Sequence, residues 1–302
     1  IMACGTGKTF VTLWIKERLR ASSTLVLLPS LSLLGQTMRE WTSNCSEPFD
    51  VLCVCSDSTV GKRDREEDVL VAEAPFKVTS DVDEINTFLS KESDKVIFCT
   101  YQSSELISQA QDNHIFDLIV ADEAHRCVGS ATATFTRVLD KDSIKAKKRL
   151  FTTATPRVFA TRVTKAAEER GDIMYGMDNL DAFGPELFTY KFGQAIEDGW
   201  LSDYQVVIVG VNEPMVKDLI DEREILAINP DLATDAGSLA SKIGLIKAIK
   251  DYNLSRVISF HSRVKSAKVF SSELHDIVGL VDAKSRPSGL IWTDYVLSLI
   301  HI

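Results

Sequence analysis

Near the start of the chain stands Met2-Ala3-Cys4-Gly5-Thr6-Gly7-Lys8-Thr9, followed directly by an amphipathic stretch over residues 10–19. Gly-x-Gly-Lys-Thr running into a helix is the pattern of a loop that grips phosphate. Gly5 and Gly7 can adopt positive φ, which turns successive backbone N–H groups toward one anion. The helix aims the positive end of its dipole at the same point. In that arrangement Gly5, Thr6 and Gly7 form the cradle. Lys8 reaches the β- and γ-phosphates of a nucleotide, and the Thr9 hydroxyl ligates Mg²⁺. One departure is visible, since Met2 stands where G-x-x-x-x-G-K-[ST] has its first glycine. Taken alone, the turn could also be an ordinary helix N-terminus.

The second group able to do chemistry is Leu118-Ile119-Val120-Ala121-Asp122-Glu123-Ala124-His125. An apolar strand that ends in two adjacent acids sets both at the C-terminal edge of a sheet. Open α/β folds bind their ligands at that edge. Asp122 there would hold Mg²⁺ through its water shell, and Glu123 would orient and deprotonate the water that attacks the γ-phosphate. The plain alternative for a lone Asp-Glu is a solvated strand end.

Both motifs need a sheet to position them, and the chain supplies the pattern of one. Apolar runs at residues 24–28, 49–55, 95–100, 116–121 and 150–153 alternate with helical spacings at 8–20, 31–41, 81–89, 102–110 and 131–139. This predicts an open, mostly parallel α/β sheet. Residues 56–73 read as a polar excursion, and residues after Pro156 as helix to about 170. Residues 171–184 read as a connector and 194–197 as a short helix. Residues 204–211 and 256–260 look like strands, with helices over 216–226, 239–252 and 264–274 among them. The expected domains are a RecA-like P-loop domain over 1–190, its first strand missing, and the incomplete start of a second such domain over 191–284. Residues 285–302 fit neither and look non-native.

Composition constrains the function. The hydrophobic fraction is 45% and the charged fraction 25%, as in soluble globular proteins. No apolar run reaches the roughly 18 residues of a membrane span, so no membrane partner is expected. The six cysteines have no paired C-x-x-C spacing, and Cys53 and Cys55 would share one strand face. Reduced, buried thiols in a cytoplasmic protein are the expectation. The net charge of −9 argues against nucleic acid, yet residues 141–165 hold eight basic side chains and one acid, Asp142.

Thr153-Ala154-Thr155-Pro156-Arg157 follows the last of these strands. A phosphate loop, Asp-Glu-Ala-His and Thr-Ala-Thr in that order resemble the motif set of superfamily two helicases and translocases. The resemblance covers roughly residues 1–275. It implies that Thr153 and Thr155 couple nucleotide state to the nucleic-acid track, with help from His125. Leu28-Pro29-Ser30 through Gln36, and Cys99-Thr100-Tyr101-Gln102-Ser103, resemble the elements of that family that grip a strand. Ser30, Gln36, Thr100 and Tyr101 would then meet phosphates without reading bases. Simple helix capping is the alternative for each. In the second domain, Arg256 to Arg263 resembles the family's fourth motif and would place His261 and Ser262 toward nucleic acid.

Met-Ala-Cys-Gly-Thr-Gly-Lys-Thr, Glu-Ala-His-Arg and the junction from Gly184-Pro185-Glu186 to Asp203-Tyr204 resemble the motor subunits of type I, type III and single-polypeptide restriction enzymes. That branch implies ATP and Mg²⁺ as cofactors, double-stranded DNA as the track, and nuclease or methyltransferase parts outside this stretch. The late motifs that bear the family's arginine finger are not found, so weak turnover is expected of the chain alone. A P-loop ATPase of another class, and an inactive fragment that binds nucleotide or DNA, are the competing readings.

Overall fold

A computed structural model describes residues 1–55, 77–130, 134–160, 169–170, 173–209, 236–281, 286–287, 289 and 291–294. The polar excursion over 56–73, the helix expected over 216–226, much of that expected after Pro156 and most of the tail lie outside the described residues. The chain divides into two compact units, Ile1–Asp203 and Tyr204–Ile302. The first therefore extends past the expected boundary at 190 and takes in the whole junction up to Asp203.

In the first unit, helix α1 (Lys8–Leu19) leads into strand β1 (Ser23–Leu28), helix α2 (Leu31–Asn44) and strand β2 (Asp50–Val54). Then come β3 (Val78–Thr79), α3 (Val82–Leu89), β4 (Lys95–Thr100), a 3₁₀ turn (Tyr101–Ser103) and α4 (Ser104–Ala110). Strand β5 (Phe116–Ala121) is followed by a 3₁₀ turn (Ala124–Cys127), the short β6 (Gly129–Ser130), a third 3₁₀ turn (Thr134–Leu139) and β7 (Ala146–Phe151). The short β8 (Met174–Tyr175) pairs antiparallel with β6.

The main sheet has the order β3-β2-β4-β1-β5-β7, and every pairing in it is parallel. Its helices lie on both faces because the strands are apolar on both. Along β1, Leu25 and Leu27 enter one core with Ile97, Ile119, Ile85 and Ile107, whereas Val26 and Leu28 enter another with Phe98, Val120, Leu13 and Trp41. This alternation is the two-residue period of a strand buried between two layers. Parallel pairing also brings the C-terminal ends of β1, β4, β5 and β7 to a single edge. Ser30, Thr100, Asp122 and Thr152 follow those ends at or near that edge.

Two short segments depart from expectation. β7 begins four residues before the apolar run at 150, because Lys147, Lys148 and Arg149 mask its first half; Lys147 and Lys148 are exposed. The described part of 131–139 is a 3₁₀ turn instead of an α-helix.

In the second unit, helices α7 (Ala236–Asp251) and α8 (Val264–Leu280) pack through Leu239, Ile243 and Ile246 against Leu274 and Ile277. The first unit also holds the short helices α5 (Leu180–Phe183) and α6 (Phe192–Glu197). A buried ion pair, Lys242 to Glu273, crosses the α7–α8 interface. Residues 205–209 and 256–260 join no sheet, and Ile208 and Phe260 are 92% and 93% exposed. Strand propensity without a partner edge does not make a strand. No described helix is long and apolar enough to cross a membrane.

Candidate functional site

Residues Ile1 to Ala3 enter the first unit between two others. Met2 N–H donates to the Thr153 carbonyl (2.9 Å), Tyr190 N–H to Ile1 (2.9 Å), and Ala3 N–H to Tyr190 (3.0 Å). From this anchor the loop turns through Gly5 (φ 79°) and Gly7 (φ 84°), so both glycines use the freedom that the sequence suggested. A Cβ on Gly5 would also stand 3.1 Å from Leu201 Cδ2. Leu201 thus packs on the loop from the far end of the unit, a contact with no signature in the local sequence.

Gly7 is the N-cap of α1, and no side chain caps that first turn. Its amides are left for an incoming anion, as a phosphate site requires. Lys8 Nζ lies over the loop, 3.4 Å from the Met2 carbonyl and 3.5 Å from that of Ala3. Thr6 Oγ1 donates to the Ala3 carbonyl (2.7 Å) and tightens the turn. The helix behind is fixed from α2, where the buried Trp41 donates from Nε1 to the Thr9 carbonyl (3.1 Å).

The acids lie where their strand position predicts. Asp122 N–H donates to the Leu27 carbonyl (3.0 Å), extending the β1–β5 ladder by one bond. Glu123 then takes a left-handed conformation (φ 48°, ψ 46°), uncommon for a residue with a Cβ. The neighbouring backbone fixes that kink, since Ala124 N–H donates to Thr152 (2.9 Å) and Arg126 N–H to Glu123 (3.0 Å). Asp122 Oδ1 accepts from Thr152 Oγ1 at 2.7 Å. Thr152 was not among the expected site residues, although it directly precedes Thr-Ala-Thr.

His125 joins the same cluster. Its Nδ1 lies 3.0 Å from Thr153 Oγ1 and 3.3 Å from Glu123 Oε2. Thr153 is buried, and its hydroxyl accepts the N–H of Thr155 (3.1 Å). Burial depresses the His125 pKa below the ordinary histidine value, Glu123 opposes this, and Arg157 and Arg126 reinforce it. The imidazole is therefore neutral at pH 7, with one ring N–H to donate. Thr153, Thr155 and His125 form one hydrogen-bonded set, Glu123 Oε2 lies beside it against the His125 ring, and Met2 ties that set to the phosphate loop. A cleft of about 600 Å³ opens beside the loop, lined by Cys4, Thr155, Pro156, Tyr190 and Phe192 among others.

The residues expected to meet nucleic acid divide. Ser30 caps α2, accepting from Leu33 N–H (3.3 Å), and exposed Gln36 donates to Glu40 (2.9 Å). Thr100 is largely buried and donates to Ser103 Oγ (3.1 Å). Tyr101 is fully buried and donates from its hydroxyl to the Asp122 carbonyl (2.7 Å), so its ring does not present itself to a phosphate backbone. In the second unit, His261 Nε2 lies 3.0 Å from Ser259 Oγ and its ring packs on Phe270, while Ser262 is exposed. The basic run is drawn apart as well. Lys147 pairs with Asp117 (2.6 Å), and half-buried Arg149 donates to the Val138 and Ile144 carbonyls. Exposed Arg157 follows Thr-Ala-Thr at the site itself, and Arg162 and Lys165 lie outside the described residues. Four thiols, Cys53, Cys55, Cys99 and Cys127, are buried, whereas Cys4 in the loop is exposed.

A parallel sheet with a glycine-rich phosphate loop, an Asp-Glu-Ala-His turn and a Thr-Ala-Thr segment at one edge defines the RecA-like core of a helicase-type domain. Residues 1–158 match the family described as type III restriction enzyme, res subunit, and the chain belongs to that family. It is similar to the ATP-dependent type ISP restriction-modification enzyme LlaBIII bound to DNA (29% identity, TM-score 0.71, 93% of this chain, 20% of that one). A nuclease-deletion mutant of the type ISP enzyme LlaGI, in complex with a DNA substrate mimic, is also similar (27% identity, TM-score 0.59, 92% of this chain, 19% of that one). A probable helicase of African swine fever virus is 29% identical over 279 residues, or 91% of this chain and 28% of that protein. The chain thus spans little more than a quarter of that viral protein's length and about a fifth of each restriction enzyme's.

Proposed function

We propose that this chain is the nucleotide-hydrolysing part of a DNA motor, coupling ATP turnover to movement along double-stranded DNA within a restriction-type system. The observation that carries the reading is the hydrogen-bonded set joining Met2, Thr153 and His125, with the Glu123 carboxylate 3.3 Å from the His125 ring. It connects the phosphate loop, the Asp-Glu-Ala-His turn and the Thr-Ala-Thr segment in the order a motor needs. Lys8 and the first-turn amides of α1 suit the β- and γ-phosphates. Thr9 and Asp122 offer the hydroxyl and carboxylate oxygens that Mg²⁺ accepts. When bound, Mg²⁺ would neutralise charge on the phosphate oxygens. Glu123 takes the proton of the attacking water, and His125, neutral and bonded to Thr153, relays the position of Glu123 to Thr155. Ser30, Gln36 and exposed Arg157 are suited to phosphate contacts, which position a duplex without reading it. The DNA-bound type ISP neighbours support DNA as the track and make nuclease or methyltransferase companions the natural context.

The test is ATP turnover by the full-length protein with and without duplex DNA. Lys8→Ala is expected to lose productive nucleotide binding. Glu123→Gln is expected to keep binding and lose hydrolysis, because the amide cannot take a proton. Near-normal turnover in either variant, or turnover indifferent to DNA, would refute the reading.

A further inference from the structure

Strand β1 lies between β4 and β5 in the sheet. A residue just past β4 can therefore touch one just past β5 only by reaching over the end of β1. Tyr101 makes that reach. Its ring is fully buried and meets Phe135 edge-on (centroids 5.3 Å apart), and its hydroxyl donates to the Asp122 carbonyl at 2.7 Å. That carbonyl belongs to the peptide linking Asp122 to Glu123, and its orientation is set by the same rotations that put Glu123 at φ 48°. A left-handed residue with a side chain persists only where its surroundings over-determine it.

We propose that Tyr101 is a positioning residue for hydrolysis: its hydroxyl fixes the Asp122–Glu123 peptide and so sets the aim of the Glu123 carboxylate. The proposal rests on the reading of Asp122 and Glu123 as the hydrolytic pair. Packing alone does not account for the hydroxyl. Phenylalanine would fill the same space, and a buried phenol costs stability unless its O–H is bonded. The Thr100 hydroxyl closes the same turn on Ser103. Any displacement of the 100–103 turn then moves the donor and, through it, Glu123. Tyr101 thus ties the end of β4 to the peptide that carries Glu123.

The experiment places Tyr101→Phe in the full-length protein in two backgrounds, native and Glu123→Gln, and measures single-turnover and steady-state ATP hydrolysis, nucleotide affinity and melting temperature. In the native background, turnover at saturating ATP should fall about tenfold, the scale of one lost hydrogen bond felt at the transition state. Nucleotide affinity should not change. In the Glu123→Gln background, where hydrolysis is already lost, Tyr101→Phe should leave nucleotide affinity unchanged. Unchanged turnover in the native background would overturn the proposal, as would a fall matched by an equal loss of nucleotide affinity in both backgrounds. If Glu123→Gln alone turns over normally, the assignment of the hydrolytic pair fails and takes the proposal with it. That outcome is visible before Tyr101→Phe is made.

Discussion

Glu123 holds a charged side chain against its own backbone preference. An L-residue in the left-handed region costs roughly 1–2 kcal/mol, which glycine avoids. Glu123→Gly and Glu123→Ala both lose the carboxylate and the contact to His125, so they differ mainly in backbone freedom. The glycine variant should be more stable than the alanine variant by about 1 kcal/mol. Urea unfolding of the pair measures this directly, and equal stabilities would show that the kink is not strained. At this scale the sequence was informative about identity and silent about contact. Lys8, Asp122, Glu123 and His125 announce themselves by type and spacing. Thr152 does not, because its bond to Asp122 depends on how the end of β7 aligns with the end of β5. Tyr101 belongs to a stretch expected to meet phosphate, yet its ring is buried and its hydroxyl is turned to Asp122.

Among the elements, the opposite edge of the sheet has its own clamp. Asp117 Oδ2 accepts from Ser22 N–H (3.1 Å), Ser22 Oγ (2.9 Å) and Ser23 N–H (3.1 Å), and Ser23 Oγ lies 2.6 Å from His114 Nε2. Burial lowers the His114 pKa, Lys95 adds to this, and Asp117 opposes it. As pH falls below about 6.5, the unfolded chain therefore takes up this proton before the folded one does. Stability from His114 is complete above that pH and declines below it. Unfolding by urea at about pH 7.5 and about pH 5.5 should show the loss. His125 is shifted in the same direction and contributes to it, so the decisive comparison is His114→Gln, which should flatten the slope. An unchanged slope would leave His114 without a part in the clamp. The strands themselves were legible where burial is complete on both faces. The apolar runs at 95–100 and 116–121 coincide with β4 and β5 residue for residue. β7 was blurred by its three consecutive basic residues, and 205–209 carry a strand's composition without a strand's partner.

For the molecule as a whole, a net charge of −9 makes any grip on DNA a local matter. Affinity should fall steeply with salt and vary little with sequence. Arg157→Ala, beside the site, should reduce the slope of log affinity against log salt by about one. Lys147→Ala should leave it unchanged, since Lys147 is engaged with Asp117 at the far edge. Equal effects would mean that the basic run acts as one surface after all. The order of the sheet has a consequence in time as well. β1 pairs with nothing near it in sequence: its partners are β4 and β5, and Ser23 N–H bonds an Asp117 oxygen 94 residues away. The phosphate loop is anchored still later, through Tyr190. At ribosomal speeds of about 5–20 residues per second, the loop waits roughly 10–40 s for that anchor. The first part of the site to be synthesised is therefore among the last to be framed, and a nascent chain has no grip on nucleotide until nearly the whole first unit has emerged.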